Sequence, residues 1–132
     1  VPIPEYYGKF DRVLVDAPCS ALGLLYRKPD IKLKKTPDEL KKIVKTQLEI
    51  LKTASRYVAR GGRLIYSTCT IDKDENEGII DCFLNEERGF KAAELSLYMP
   101  EAFKKRTQEG RLTLYPHIDG IDGFFIAALE RK

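Results

Sequence analysis

No run of apolar residues in this 132-residue chain approaches the ~20 that a membrane-spanning helix needs. No leader with a charged head and an apolar body is visible at its start. Cysteine is scarce: Cys19, Cys69 and Cys82 are three in all. That is an odd number, too small for a secreted disulfide framework, so a reducing, cytoplasmic setting is expected. Histidine is scarcer, with His117 alone. Three dispersed cysteines and one histidine offer no C-x-x-C or H-x-x-x-H spacing, which argues against a bound metal. No G-x-G-x-x-G or comparable glycine-rich turn is present, although a doubly wound nucleotide-binding domain normally opens on a strand followed by one. Internal repeats and low-complexity segments are missing too. The chain begins Val1-Pro2-Ile3-Pro4 and enters an apolar strand almost at once. The expectation is therefore the back half of a longer fold.

What is present is ordinary in bulk. Apolar residues make up 43% and charged residues 33%, as in a globular domain with one sizeable core. The net charge of +3 is compatible with a polyanionic partner without identifying one. The informative stretch is Val13-Leu14-Val15-Asp16-Ala17-Pro18-Cys19-Ser20. Residues 12–16 are apolar except at their ends and carry β-branched Val13 and Val15, the pattern of a buried parallel strand. Pro18 ends it, having no N–H to give a ladder. A carboxylate, Asp16, and a thiol, Cys19, are left just beyond the apolar run. Gly61-Gly62-Arg63-Leu64-Ile65-Tyr66-Ser67-Thr68-Cys69-Thr70 repeats the design. Ligands of open α/β sheets bind outside the carboxyl ends of the strands. Two adjacent parallel strands would thus place Asp16, Cys19 and Cys69 in one crevice.

The remaining residues supply an α/β frame. Residues 1–9 read as loop. Residues 20–35 are a long connection, apolar first and basic afterwards, of a length more often functional than structureless. Thr36-Pro37-Asp38-Glu39 combines a capping residue, a proline at the first helical position and a capping-box glutamate. Leu40, Val44, Leu48, Leu51, Ala54 and Val58 recur every three or four residues, which predicts an amphipathic helix over 37–58, closed by Gly61-Gly62. Lys41, Lys42, Lys45, Glu49, Lys52 and Arg56 form its solvated face. A strand is expected over 63–67. A second helix should run from the acidic 72–77 to residue 85, with Ile79, Ile80 and Phe83 inward and Cys82 as an unreactive structural thiol. Further strands are expected over 90–95, 111–115 and 123–129. The last strands no longer alternate with helices, which suits a mixed sheet with an antiparallel end and helices on its faces.

Two thiols at matched strand ends admit several chemistries. A cysteine hydrolase needs a histidine beside the thiol, and His117 is the one candidate. A phosphatase loop would place arginine six residues after the cysteine; Glu75 and Leu25 stand there instead, so that reading fails. A redox pair of Cys19 and Cys69 stays open on geometry.

Five separated motifs narrow the choice. They are Asp16-Ala17-Pro18-Cys19-Ser20-Ala21-Leu22-Gly23, Arg27-Lys28-Pro29-Asp30-Ile31-Lys32, Tyr66-Ser67-Thr68-Cys69-Thr70, Glu75-Asn76-Glu77 and Asp122-Gly123-Phe124-Phe125-Ile126-Ala127. Together they resemble the RNA cytosine-5 methyltransferase family, and within it the Sun/Fmu group of bacterial 16S ribosomal RNA methyltransferases. The resemblance extends over nearly the whole chain. It implies that residues 1–132 are the C-terminal part of a Rossmann-like class I S-adenosylmethionine-dependent methyltransferase domain. The family's cofactor turn, of the Ala-x-Pro-Gly-Gly-Lys type, and its RNA-binding domain would then belong upstream of residue 1.

The resemblance also implies roles. Cytosine C5 is a poor nucleophile until a thiolate adds at C6, a case of covalent catalysis; the family assigns that thiolate to Cys69. It assigns release of the methylated base to Cys19. Asp16 would hold the base edge, with burial raising its pKa, and Asp16, Ala17 and Pro18 would border S-adenosylmethionine. The target cytosine, in small-subunit ribosomal RNA, must be flipped out to reach the crevice. Arg27, Lys28, Lys32, Lys34 and Lys35 beyond the first cysteine read as phosphate contacts. A thiol redox or hydrolytic enzyme and a non-catalytic RNA-binding fragment remain the alternatives. The first strand is expected at a sheet edge, so the fragment is at risk of self-association.

Overall fold

The computed structural model describes residues 1–20 and 36–132. The predicted helix start is realised as a capping box: the Glu39 N–H donates to Thr36 Oγ1 at 3.2 Å and the Thr36 N–H to Glu39 Oε2 at 3.0 Å. This opens α1 (Pro37–Ser55), which follows β1 (Phe10–Asp16) in the chain. Then come β2 (Val58–Thr68), α2 (Glu77–Glu86), β3 (Phe90–Ala92), α3 (Glu101–Lys104), β4 (Arg111–Leu114), α4 (Pro116–Asp119) and β5 (Phe124–Arg131). No helix among the described residues is long and apolar enough to cross a membrane.

The sheet is mixed, as expected. β1 lies parallel to β2, with Val13 facing Leu64 and Asp16 facing Ser67. β5 runs antiparallel on the other side of β2. The far edge of β5 is divided: β4 pairs with residues 124–127 and β3 with 129–131. Helix α1 between two adjacent parallel strands is the crossover that such a pair requires.

Three expectations need correcting. The first helix ends at Ser55, not residue 58. Ser55 Oγ turns back onto the Lys52 carbonyl at 2.7 Å, and Val58 is buried from β2 instead. Gly61-Gly62 therefore does not cap a helix; it sits inside β2. Phe10 faces Val58 but Arg12 faces Arg63, so β2 bulges between them. Gly61 takes the left-handed φ of +75° there, and a Cβ on Gly62 would lie 2.8 Å from the Ala59 carbonyl oxygen. Second, β1 is buried on one face only. Val15 joins the core, while Leu14 is 68% exposed, because β1 is the sheet edge and only its helix-facing side is covered. Third, α2 begins at Glu77 rather than residue 72; the preceding turn points Glu75 and Asn76 inward.

Alternation along the strands makes two apolar layers. Val15, Leu64, Tyr66, Phe125, Ala127 and Leu129 pack with Leu51, Ile79, Ile80 and Phe83 from the helices, so the inward face expected for α2 is present. Ile65, Ile126 and Ala128 point the other way, to Leu95, Met99, Phe103 and Leu112.

Candidate active site

Register places the site. The Ala17 N–H donates to the Ser67 carbonyl at 2.9 Å, which carries the β1–β2 ladder one residue past β1. Ser67 Oγ donates to Asp16 Oδ1 at 3.0 Å. Just beyond, the Cys19 and Cys69 Sγ atoms lie 3.1 Å apart, both half-buried. The three residues expected in one crevice do meet there. Both sulfurs are free thiols.

The electrostatics separate the pair from an ordinary surface thiol. Burial pushes the Cys69 thiol up, the Cys19 contact adds to this, and the Asp16 carboxyl raises it further, to about 12. Cys69 therefore holds its proton near neutral pH. Asp16 itself is exposed. The burial expected for it is absent, because the residue ends an edge strand.

Ala17 is buried, its N–H is taken by Ser67, and the Pro18 carbonyl accepts from Gln47 Nε2 at 2.8 Å. Asp16 is thus the one of the three expected cofactor neighbours that presents an exposed polar side chain. A carboxylate there fits the ammonium group of a methionine moiety. Arg27, Lys28, Lys32, Lys34 and Lys35 lie outside the described residues.

A buried polar layer under the thiols was not anticipated. Glu75, wholly buried, accepts from the Ser20 N–H at 2.8 Å, Ser20 Oγ at 2.6 Å, Gln47 Nε2 at 3.1 Å and Thr70 Oγ1 at 3.2 Å. Four donors satisfy a carboxyl group that would be costly to bury bare. Asn76 Oδ1 accepts from Thr68 Oγ1 at 2.6 Å, and its Nδ2 donates to the Thr70 carbonyl at 2.9 Å. Tyr66, whose phenol burial holds in the protonated form, donates to the Glu75 carbonyl at 2.7 Å. Asp72 nearby is held above the usual carboxylate range by burial and by its contact with Glu75. The available signal was Glu75-Asn76, a polar pair directly after the Cys69 turn that a solvated helix start explained too easily.

The other candidates fall elsewhere. His117 packs on the Tyr115 ring, centroids 5.4 Å apart, whereas the thiols have each other as polar partners. Cys82 is half-buried on α2 with Sγ 3.6 Å from Glu86 Oε1. It borders a 750 Å³ apolar groove between α1 and α2 that Asp16, Cys19 and Cys69 do not line.

Comparison with known proteins decides the family. The model of the family described as 16S rRNA methyltransferase RsmB/F matches residues 2–130. The chain belongs to the RsmB/F family. It is 44% identical over 126 residues to the probable ribosomal RNA small subunit methyltransferase B of Bacillus subtilis (strain 168), covering 94% of this chain and 28% of that protein. It is 37% identical over 134 residues to the ribosomal RNA small subunit methyltransferase F of Escherichia coli O9:H4 (strain HS), covering 99% of this chain and 27% of that one. The chain thus spans little more than a quarter of these relatives. Among solved structures, NSun6 from Pyrococcus horikoshii with SFG superposes at a TM-score of 0.71 and 32% identity, over 89% of this chain and 29% of that one. The fold is that of the Rossmann-like methyltransferases of this family, which use S-adenosylmethionine.

Proposed function

We propose that the protein containing this chain is an S-adenosylmethionine-dependent ribosomal RNA (cytosine-C5) methyltransferase acting on the small subunit through a covalent cysteine mechanism. The observation that carries the reading is the 3.1 Å Cys19–Cys69 pair at the ends of adjacent parallel strands, beside Asp16. Catalysis by addition at C6 needs a nucleophile for that carbon and a second group to take the C5 proton. Cys69, flanked by fully buried Thr68 and Thr70, supplies the nucleophile once its proton has moved to a neighbouring group. Addition of its sulfur to C6 makes C5 electron-rich. S-adenosylmethionine supplies the methyl group as an electrophilic sulfonium when bound. Asp16, exposed at the crevice, holds the polar edge of a flipped cytosine and lies against the methionine moiety, with Ala17 and Pro18 as the adjoining surface. Cys19, itself deprotonated at that stage, then takes the C5 proton while the Cys69–C6 bond breaks and the Cys69 sulfur leaves as a thiolate, which frees the methylated base.

Arg27, Lys28, Lys32, Lys34 and Lys35 contact RNA phosphates in this reading. Replacing Lys32, Lys34 and Lys35 by Ala should flatten the salt dependence of binding by about 0.7–0.9 log units for each phosphate no longer neutralised. Residues 1–132 alone neither bind the cofactor tightly nor methylate, and they self-associate through the open β1 edge, where Leu14 is 68% exposed. Calorimetry with the cofactor and sedimentation against concentration test both statements. The setting is cytoplasmic, where ribosomal RNA and reduced thiols occur together. The whole reading is tested by incubating the intact protein with methyl-labelled S-adenosylmethionine and small-subunit ribosomal RNA, then analysing the nucleosides. 5-Methylcytidine is expected; label on another base or on ribose overturns the assignment.

A further inference from the structure

Each thiol is bracketed by neighbours tied to three buried side chains, Gln47, Glu75 and Asn76. On the first turn, Cys19 stands between Pro18, whose carbonyl accepts from Gln47, and Ser20, whose N–H and hydroxyl both donate to Glu75. On the second, Cys69 stands between Thr68, held by Asn76, and Thr70, held by Glu75 and Asn76. Gln47 from α1 joins the two systems, since its Nε2 also donates to Glu75. The sulfurs are 50 residues apart in the chain, and backbone pairing of β1 with β2 stops at Ala17 on one side and Ser67 on the other. Past that point both loops fasten to the Glu75 carboxyl.

We propose that Glu75 is a positioning residue that sets the spacing of Cys19 and Cys69, one carboxyl oxygen holding the Ser20 N–H and the other the Ser20 and Thr70 hydroxyls. It touches no reacting atom. It couples the two thiols so that the proton-taking sulfur stays within reach of the base that the attacking sulfur holds. The role rests on the covalent reading of the reaction given above, but the spacing it sets can be measured without any reaction on RNA.

The test uses the intact protein and its Glu75→Gln variant. Glutamine keeps the shape, but its amide nitrogen cannot accept from Ser20. Diamide oxidises a pair of nearby thiols to a disulfide and takes up their two hydrogens; peptide mapping then gives the rate of Cys19–Cys69 linkage. In Glu75→Gln the linkage should slow about tenfold or more. The kcat for RNA methylation should fall on the order of 100-fold with KM for RNA little changed, the usual scale for a displaced reacting group. Adduct resistant to denaturant should accumulate, because release needs both sulfurs. A folded Glu75→Gln protein that links its thiols at the wild-type rate overturns the proposal. If that variant does not fold, Ser20→Ala decides: it deletes one hydroxyl and leaves Glu75 buried, so slower linkage supports the role and an unchanged rate refutes it. If the wild-type protein makes no 5-methylcytidine while Glu75→Gln still slows linkage, the reaction was misread and the positioning role stands.

Discussion

The turns carrying Cys19 and Cys69 look alike in sequence, each a β-branched or apolar strand running into small polar residues and a cysteine, yet the fold treats them differently. β1 is the edge strand and β2 is flanked on both sides, by β1 and β5. Asp16 and Pro18 on the first turn are consequently exposed, while Thr68 and Thr70 on the second are wholly buried. Both thiols are half-buried all the same. Equal motifs acquire unequal surroundings from the position of their strands in the sheet.

The largest effect should come from deleting each thiol in the intact protein. Cys69→Ala removes the nucleophile, so methylation stops and no RNA adduct forms. Cys19→Ala leaves addition and methyl transfer intact but impairs release, so protein and RNA should stay joined and migrate as a slower band on denaturing gels. A redox pair would make the two variants equivalent, with neither trapping RNA. A trapped band from Cys69→Ala and none from Cys19→Ala would reverse the assignment.

A second contrast lies in thiol ionisation. Burial first, and the Cys19 contact next, push Cys69 up to about 12, against about 8.5 for an ordinary cysteine. Iodoacetamide should therefore label Cys69 more slowly than a free cysteine at neutral pH, by roughly tenfold or more given its partial exposure, and the rate should climb through the alkaline range. A thiol whose folded pKa lies above its unfolded value is neutral in both states below the unfolded value. Its contribution is complete there and is lost as pH rises toward about 12. Denaturant midpoints of the wild-type protein should fall over this window, and Cys69→Ala should lose less. Equal slopes in the two proteins would remove Cys69 from the account.

Much of this contrast was legible in the residues. Thr36-Pro37-Asp38-Glu39 fixes a helix start by local hydrogen bonds alone, and the strand ends follow from apolar runs stopped at Pro18 and at the Ser-Thr turn. Asp16, Cys19 and Cys69 could be grouped because parallel neighbours align their carboxyl ends. The end of α1 and the role of Gly61-Gly62 were not legible. A pair of glycines after a helical pattern serves a C-cap and a bulge equally well, and only pairing with β1 selects the bulge. Leu14 misled for a similar reason: an apolar residue between two valines reads as buried on both faces, but coverage depends on what the sheet has beside it. Glu75 stood out only as part of a motif, and Gln47 not at all, because charged and amide side chains are rarely interior, and their partners lie far away in the chain, on Ser20 and Pro18.

The smallest effect sharpens the comparison, because it touches one turn directly and the other only through Glu75. Tyr66 is fully buried, and its hydroxyl donates to the Glu75 carbonyl at 2.7 Å. Tyr66→Phe keeps the ring, including its edge-on contact with Phe125 at 6.3 Å between centroids, and leaves that carbonyl without this donor. The cost should be about 1–3 kcal/mol in a urea titration, the range for a buried group left unpaired. The deleted hydrogen bond fastens the turn that follows Cys69, and the Glu75 side chain of that turn also holds Ser20 beside Cys19. Cys69 should then label faster with iodoacetamide, and Cys19 should follow to a smaller degree through Glu75. Equal acceleration of both would mean that the two turns open together as one unit, and the distinction between an inner and an edge thiol would not extend to their local stability.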